Sequence, residues 1–258
     1  MMKEKPIVIY TDHEINRTLC YNFAKGSNSL MCHVKNFNEN NKTIATYGYR
    51  RGTGELIRKV KNFYYIDHGY FKQSNRTFKK NKVHKIDLSG YFRIVFNDFW
   101  HNGQGNKNSD RFDRLKINIK SLNKEGEYIV VSESVPEAVE YYKLNNWTQN
   151  TVNKLKKLTD RKIIIHNRRS EIKLENLLKK AWAFVSDHSS AGLKAMVEGV
   201  PAYFTNKTLS KIGSVEDIEK HEINYNIFNN LAYEQWTIDE IRSGEAWNYL
   251  SETINEKK

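Results

Sequence analysis

Short apolar runs, each closed by a polar or glycine-bearing cluster, alternate along this chain with stretches whose apolar residues recur at helical spacing. Residues 6–11 predict a first buried strand and 12–16 the loop after it. Residues 17–25 predict a helix with Leu19, Cys20 and Phe23 on one face, and 26–28 a turn. Residues 43–47 read as a strand, 48–54 as a basic glycine-rich loop, and Leu56, Ile57 and Val60 as one side of a short helix. An aromatic strand over 63–66 ends at Asp67-His68-Gly69. Residues 72–90 are polar, basic and without period, which predicts a long loop or excursion. Another strand follows over 92–96, then a flexible loop over 102–109.

Further on the alternation is cleaner. Residues 128–131 predict a strand, 132–134 a loop, Pro136 the first turn of a helix, and 148–158 a second amphipathic helix. A strand over 162–165 ends at His166-Asn167-Arg168-Arg169, and 174–180 reads as a helix. The most informative stretch is 184–204. An apolar strand over 182–185 runs into Asp187-His188-Ser189-Ser190, then a helix carrying Leu193, Met196 and Val197, then Gly199, Pro201 and a strand over 202–204. Helices are predicted near 214–221 and 237–250. The second opens with a capping box, Thr237 and Glu240, and Ile241 and Trp247 fold it back onto the body.

Strand-then-helix alternation at this spacing indicates parallel βαβ units. The fold class it predicts is α/β, with two Rossmann-like halves, residues 1–126 and 127–258, the second carrying a C-terminal helical segment. In open α/β sheets ligands lie beyond the carboxyl ends of the strands. The clusters at 67–69, 132–134, 166–168 and 187–190 all fall at such ends, which predicts a cleft between the halves. Hydroxyls and backbone N–H groups meeting at a helix N-terminus suit an anion such as phosphate, though Asp and Ser are also ordinary helix caps.

Composition changes the picture in two respects. A hydrophobic content of 39% over 258 residues excludes a disordered chain, and the net charge of +12 is unevenly spread. Residues 72–124 hold 13 Lys/Arg against 4 Asp/Glu, 150–211 hold 13 against 5, and 213–258 hold 4 against 10. The two basic stretches fit phosphorylated or polyanionic ligands, or else are solvated faces of a Lys- and Asn-rich chain. No apolar run approaches the roughly 20 residues of a membrane span, and no signal-peptide core opens the chain. Two cysteines without metal-ligand spacing complete the expectation of a cytoplasmic protein. His13, His33, His84, His101 and His221 are scattered, so no metal site is expected.

The Asp187-His188-Ser189-Ser190 loop, its helix and the strand led by Gly199-Val200-Pro201 resemble the C-terminal motif of the GT-B glycosyltransferase superfamily. The likeness is to its capsular-polysaccharide transferases and CDP-glycerol glycerophosphotransferases. His166-Asn167-Arg168 resembles that group's strand-end His-Pro-Arg, and Asp67-His68-Gly69 its Trp-His-Gly element. The resemblance implies a compact GT-B-like enzyme with the donor on the C-terminal half and the acceptor on the N-terminal half. It would use a nucleotide-activated sugar as co-substrate and need no cofactor or metal. Ser189 and Ser190 would then hold a donor phosphate. Arg168 or His166 would neutralise the leaving diphosphate. His68 would be the general base, with Asp67 its orienter or substitute. Asp187, His188, Lys194 and Glu133 complete the donor side. Lys194 lies near the position where many such enzymes carry a ribose-binding Glu, and Asn167 replaces the common Pro.

The acceptor is a glycan intermediate or a hydroxylated nucleic acid, as in DNA modification; positive charge does not separate these. Arg50 and Arg51 are read as a basic surface loop. A different class of function also fits: a non-enzymatic nucleic-acid-binding protein on an α/β scaffold. It rests on the basic 72–124 segment, its Asn-rich loops and the interleaved aromatics Tyr70, Phe71, Phe78 and Tyr91.

Overall fold

A computed structural model describes residues 5–39, 41–73, 76–79, 82–86 and 88–253. The chain forms two compact units, residues 1–99 with 232–258, and residues 100–231. In the first, β1 (Ile7–Tyr10), α1 (Glu14–Ser27), β2 (Met31–His33), β3 (Thr43–Tyr47), α2 (Thr53–Lys59) and β4 (Asn62–His68) alternate as the pattern predicts. These four strands pair in parallel in the order β4-β3-β1-β2. Helix α1 begins earlier than its apolar spacing indicates, because polar Asn16 sits buried inside its first turn. The Asn16 side chain accepts from the Thr11 amide at 2.7 Å and donates to the Tyr47 carbonyl at 2.7 Å, clasping the ends of β1 and β3. Residues 26 and 27 stay helical, and Asn28 in the left-handed region ends the helix.

The 72–90 excursion contains a two-stranded antiparallel hairpin, β5 (Arg76–Lys79) and β6 (Lys82–Ile86). The sequence hid it because the strands lack an apolar alternation; residues 74, 75, 80, 81 and 87 lie outside the described residues. Strand β7 (Phe92–Phe96) then pairs antiparallel with β4.

The second unit opens with irregular chain and α3 (Asp110–Arg114). Residues 102–109 have no regular structure, yet they are tethered. Buried Asn230 donates to the carbonyls of Gly103 and Gly105 at 2.7 and 3.1 Å and accepts from the Lys107 amide at 2.9 Å. Then come β8 (Tyr128–Ser132), α4 (Pro136–Tyr142), α5 (Trp147–Leu155), β9 (Lys162–His166), α6 (Leu174–Leu178), β10 (Ala181–Ser186), α7 (Ala191–Val197) and β11 (Ala202–Phe204). Pro136 occupies the first turn of α4 as expected. The strands form a parallel sheet ordered β11-β10-β8-β9. All five residues of β8 are buried, as befits a parallel strand covered on both faces. Gly192 lets α7 close on β11, since a Cβ there would lie 2.5 Å from the Phe204 ring.

Helix α8 (Asn226–Ala232) leads out of this unit. The tail then rejoins the first as β12 (Gln235–Trp236), α9 (Ile238–Ser243) and α10 (Glu245–Thr253). Strand β12 adds to the first sheet beyond β7, giving β12-β7-β4-β3-β1-β2. The expected division near 120–127 therefore falls inside the second unit, and the tail belongs to the first. The physical reason is the β12–β7 pairing together with a buried Trp236 and Ile241 in the first unit's core, contacts too distant in sequence for local pattern to reveal. The Thr237/Glu240 capping box is present. Gly244, at a φ of +93°, splits the single helix predicted over 237–250 into two. Among the described residues no helix is long and apolar enough to cross a membrane.

Candidate functional site

In the second unit the chain runs from β8 outward to β9, then crosses to the opposite side of β8 for β10 and β11. The reversal leaves a crevice between the carboxyl ends of β8 and β10, where open α/β sheets take their ligands. The loop after β8 supplies Glu133, and the loop after β10 supplies Asp187-His188-Ser189-Ser190. Two of the clusters singled out in the sequence thus stand beside each other within one unit, with His166 at the end of neighbouring β9.

A hydrogen-bonded series fixes the centre of this edge. The Trp147 indole donates to Thr205 Oγ1 at 2.6 Å, and the Thr205 hydroxyl donates to Asp187 Oδ1 at 2.7 Å. The other carboxylate oxygen, Asp187 Oδ2, lies 2.6 Å from His188 Nδ1. Asp187 is buried and His188 nearly so, so the carboxylate acts at short range in a water-poor setting. A carboxylate anchored by Thr205 at one oxygen and paired with Nδ1 at the other fixes the imidazole's orientation and directs Nε2 away from Asp187. The His188 ring rests on Tyr142, the last residue of α4, with ring centres 4.3 Å apart, and on Trp100 at 6.3 Å. Such an imidazole is held ready to donate to, or take a proton from, a ligand oxygen.

Ser189 and Ser190 divide their tasks. Ser189 Oγ accepts from the Ala191 amide at 3.2 Å, and the Ser189 amide donates to Ser186 Oγ at 3.2 Å, so Ser189 serves as the local cap of α7. Ser190 occupies the cap position but its hydroxyl makes no capping bond. Both are half-buried at the sheet's edge rather than packed in the core. Part of the N–H supply that the sequence assigned to an anion is therefore spent inside the loop. Lys194 is exposed and pairs with Glu175 of α6, whose carboxyl is held below its ordinary range by that hydrogen bond.

Glu133 accepts from the Thr148 hydroxyl at 3.1 Å and from Asn167 Nδ2 at 3.3 Å. Asn167, where the resembled family has Pro, thereby ties the β9 loop to the β8 loop. His166 is buried as the last residue of β9, and its carbonyl accepts from the Glu133 amide at 2.9 Å. Arg168 is exposed in the turn beyond it.

In the first unit the equivalent crossover lies between β1 and β3, the two strand ends joined by Asn16, and Arg50 and Arg51 are exposed on the loop after β3. His68 and Asp67 end β4, one strand further along. Successive strand residues face opposite sides of a sheet, and these two do. Asp67 is committed elsewhere. Its Oδ2 accepts from Arg93 Nη2 at 3.1 Å and from the Tyr65 hydroxyl at 3.0 Å, while Oδ1 takes the His68 backbone amide at 2.8 Å. Arg93 is 4% exposed, so Asp67 neutralises a buried cation instead of orienting the His68 ring. The His68 imidazole shares a 3.2 Å hydrogen bond between Nε2 and the Tyr47 hydroxyl and lies over Phe92.

Sequence reading missed Thr205, Trp147 and Tyr142, which reach the edge of the second unit's sheet from other elements, and, in the first unit, Tyr47 beside His68. Thr205 had a signal, standing first after β11 at the same strand edge. Cys20 is buried, hydrogen-bonded to the Ile9 carbonyl, and its thiol is pushed up to about 12 by burial, a packing residue with no nucleophilic character. Among the described residues no group of three His, Cys, Asp or Glu side chains is placed to hold a metal ion.

No family model matches the chain, and no curated protein matches it. Among solved structures it is similar to KpsC, the beta Kdo 2,4 transferase of Thermosulfurimonas dismutans. The superposition covers 89% of this chain and 90% of that one, with a TM-score of 0.47 and 9% sequence identity. A likeness this distant says nothing of activity.

Proposed function

We propose that the protein is a glycosyltransferase that moves a sugar from a nucleotide-activated donor to an acceptor hydroxyl. The observation that carries this reading is the juxtaposition, at the sheet crossover of the second unit, of the Ser189-Ser190 loop with an imidazole held by Asp187. In the proposal that loop takes the donor's phosphate. The Ser190 hydroxyl donates to a phosphate oxygen, as does Nε2 of His188 in the imidazolium form whose Nδ1–H pairs with Asp187, and Arg168, or His166 in its protonated form, neutralises charge as the leaving group departs. The acceptor oxygen bonds to the anomeric carbon while the bond from that carbon to the phosphate oxygen breaks. The electron pair leaves with the nucleotide, and the acceptor proton goes to a general base, for which His68 at the end of β4 is the candidate. Asp67 holds Arg93 and takes no proton in this scheme. The basic stretches fit an acceptor that is a polyanion, a glycan or a hydroxylated nucleic acid.

The test is a screen of nucleotide sugars, reading release of the free nucleotide with glycan and hydroxymethylated-DNA acceptors. Acceptor-dependent release with one donor, lost in His188→Ala and in His68→Ala with the fold retained, is the expected result. Absence of release with every donor, alongside tight DNA binding unaffected by nucleotides, contradicts it.

A further inference from the structure

The second unit carries a cavity of about 540 Å³ between the loop after β8, helix α4 and the start of α5. Its walls include Glu133, Val139, Glu140, Lys143, Leu144 and Trp147. That volume lies within the range of small-molecule sites. We propose that this cavity binds a neutral ring bearing vicinal hydroxyls, the ribose or the sugar of the donor.

Three observations support the assignment. The lining carries two carboxylates against one ammonium, a balance that disfavours phosphate and favours hydroxyl donors. Glu133 is oriented by Thr148 and Asn167, one donor on each oxygen. An ionised carboxylate offers about four lone-pair sites, so two remain to accept from adjacent hydroxyls. Trp147, Val139 and Leu144 supply apolar wall for the C–H face of a ring.

The cavity is also coupled to the anion loop through its own walls. Trp147 lines it and holds Thr205, which holds Asp187, and helix α4 lines it and presses Tyr142 against His188. A ring seated here therefore lies against the elements that orient His188. Its role as part of the donor site rests on the transferase reading, whereas ring binding itself does not.

The experiment is ligand-observed NMR and calorimetry on the full chain, with ribonucleosides, 2′,3′-dideoxynucleosides and methyl glycosides titrated separately from inorganic pyrophosphate. Saturable binding of ribonucleosides or of methyl glycosides is expected, the preferred arm identifying the ring as ribose or sugar. Dideoxynucleosides are expected not to bind. Glu133→Gln should weaken ring binding about tenfold, the loss of one charge-assisted hydrogen bond. Val139→Trp, which fills the cavity, should abolish it while pyrophosphate still binds. Pyrophosphate binding with no response to any ring overturns this inference and leaves the transferase reading standing. So does equal binding of ribo- and dideoxynucleosides. Ring binding that survives Val139→Trp places the ring elsewhere and also overturns it. Ring binding without pyrophosphate binding upholds the cavity and contradicts the anion loop.

Discussion

Ser189 and Ser190 are adjacent and chemically identical, yet the structure gives them separable roles. Ser189→Ala removes the acceptor for the Ala191 amide and is expected to lower stability by about 1 kcal/mol, as cap losses do. Ser190→Ala should leave the denaturation midpoint unchanged and weaken phosphate binding. A urea titration of both variants checks the first half. Thr205→Val tests the hydrogen-bonded series behind His188. It strands the Trp147 indole and one Asp187 oxygen, at an expected cost of about 1–3 kcal/mol, and loosens the imidazole. The pair at the end of β4 separates in the same way. Asp67→Asn leaves Arg93 buried beside a neutral partner and should destabilise by about 2–3 kcal/mol, less than a fully stripped ion pair because the guanidinium also donates to the carbonyls of His68 and Phe99. His68→Ala should lower turnover with little change in stability. The sequence displayed these clusters but not this division of labour. Which of two neighbouring side chains caps a helix or neutralises a buried cation depends on partners brought in from other elements, such as Arg93 of β7.

At the scale of elements, strands were the most legible. The runs at 43–47 and 92–96 coincide with β3 and β7, because buried parallel and central strands write continuous apolar stretches. Helix α1 was cut short in prediction because Asn16 is polar by composition and buried by function, its amide satisfied by two backbone groups. The β5–β6 hairpin was illegible for the opposite reason, since its sequence shows no apolar alternation to mark its period. Close approach between elements is also invisible in sequence. Gly26 of α1 meets α9 so tightly that a Cβ would stand 1.9 Å from the Ile241 carbonyl. Gly26→Ala is expected to push the two helices apart and lower stability by about 2–3 kcal/mol, read from chemical denaturation.

For the molecule as a whole, two α/β units were legible from strand-then-helix alternation, and their boundary was not. The return of residues 232–258 to the first unit is a long-range pairing that no local window contains. Stability of the second unit should depend on pH through His221. Its ring stacks on Trp182 with centres 3.4 Å apart, and Arg161 covers the same indole at 3.4 Å. Burial, with the Arg161 charge nearby, lowers the His221 pKa despite the bond between its Nε2 and the Trp182 carbonyl. A depressed histidine means that the unfolded chain binds the proton more readily. The contribution is therefore present above the ordinary histidine range near 6.5 and is lost as pH falls through the lower folded value. Melting temperature should drop from pH 7 to pH 5 more steeply than in His221→Asn, which keeps the left-handed backbone. The net charge of +12 predicts that any polyanionic acceptor is released as salt rises, with the logarithm of affinity falling linearly in the logarithm of salt.

The central claim is that the loop closed by Ser190 and His188 binds the phosphates of an activated donor. Phosphorus NMR titration of nucleoside diphosphates and monophosphates tests it most directly. The account predicts saturable binding of at least one nucleotide to the folded protein, weakened about tenfold or more in both Ser190→Ala and His188→Ala. Nucleotide binding indifferent to both substitutions, or none at all, would contradict it.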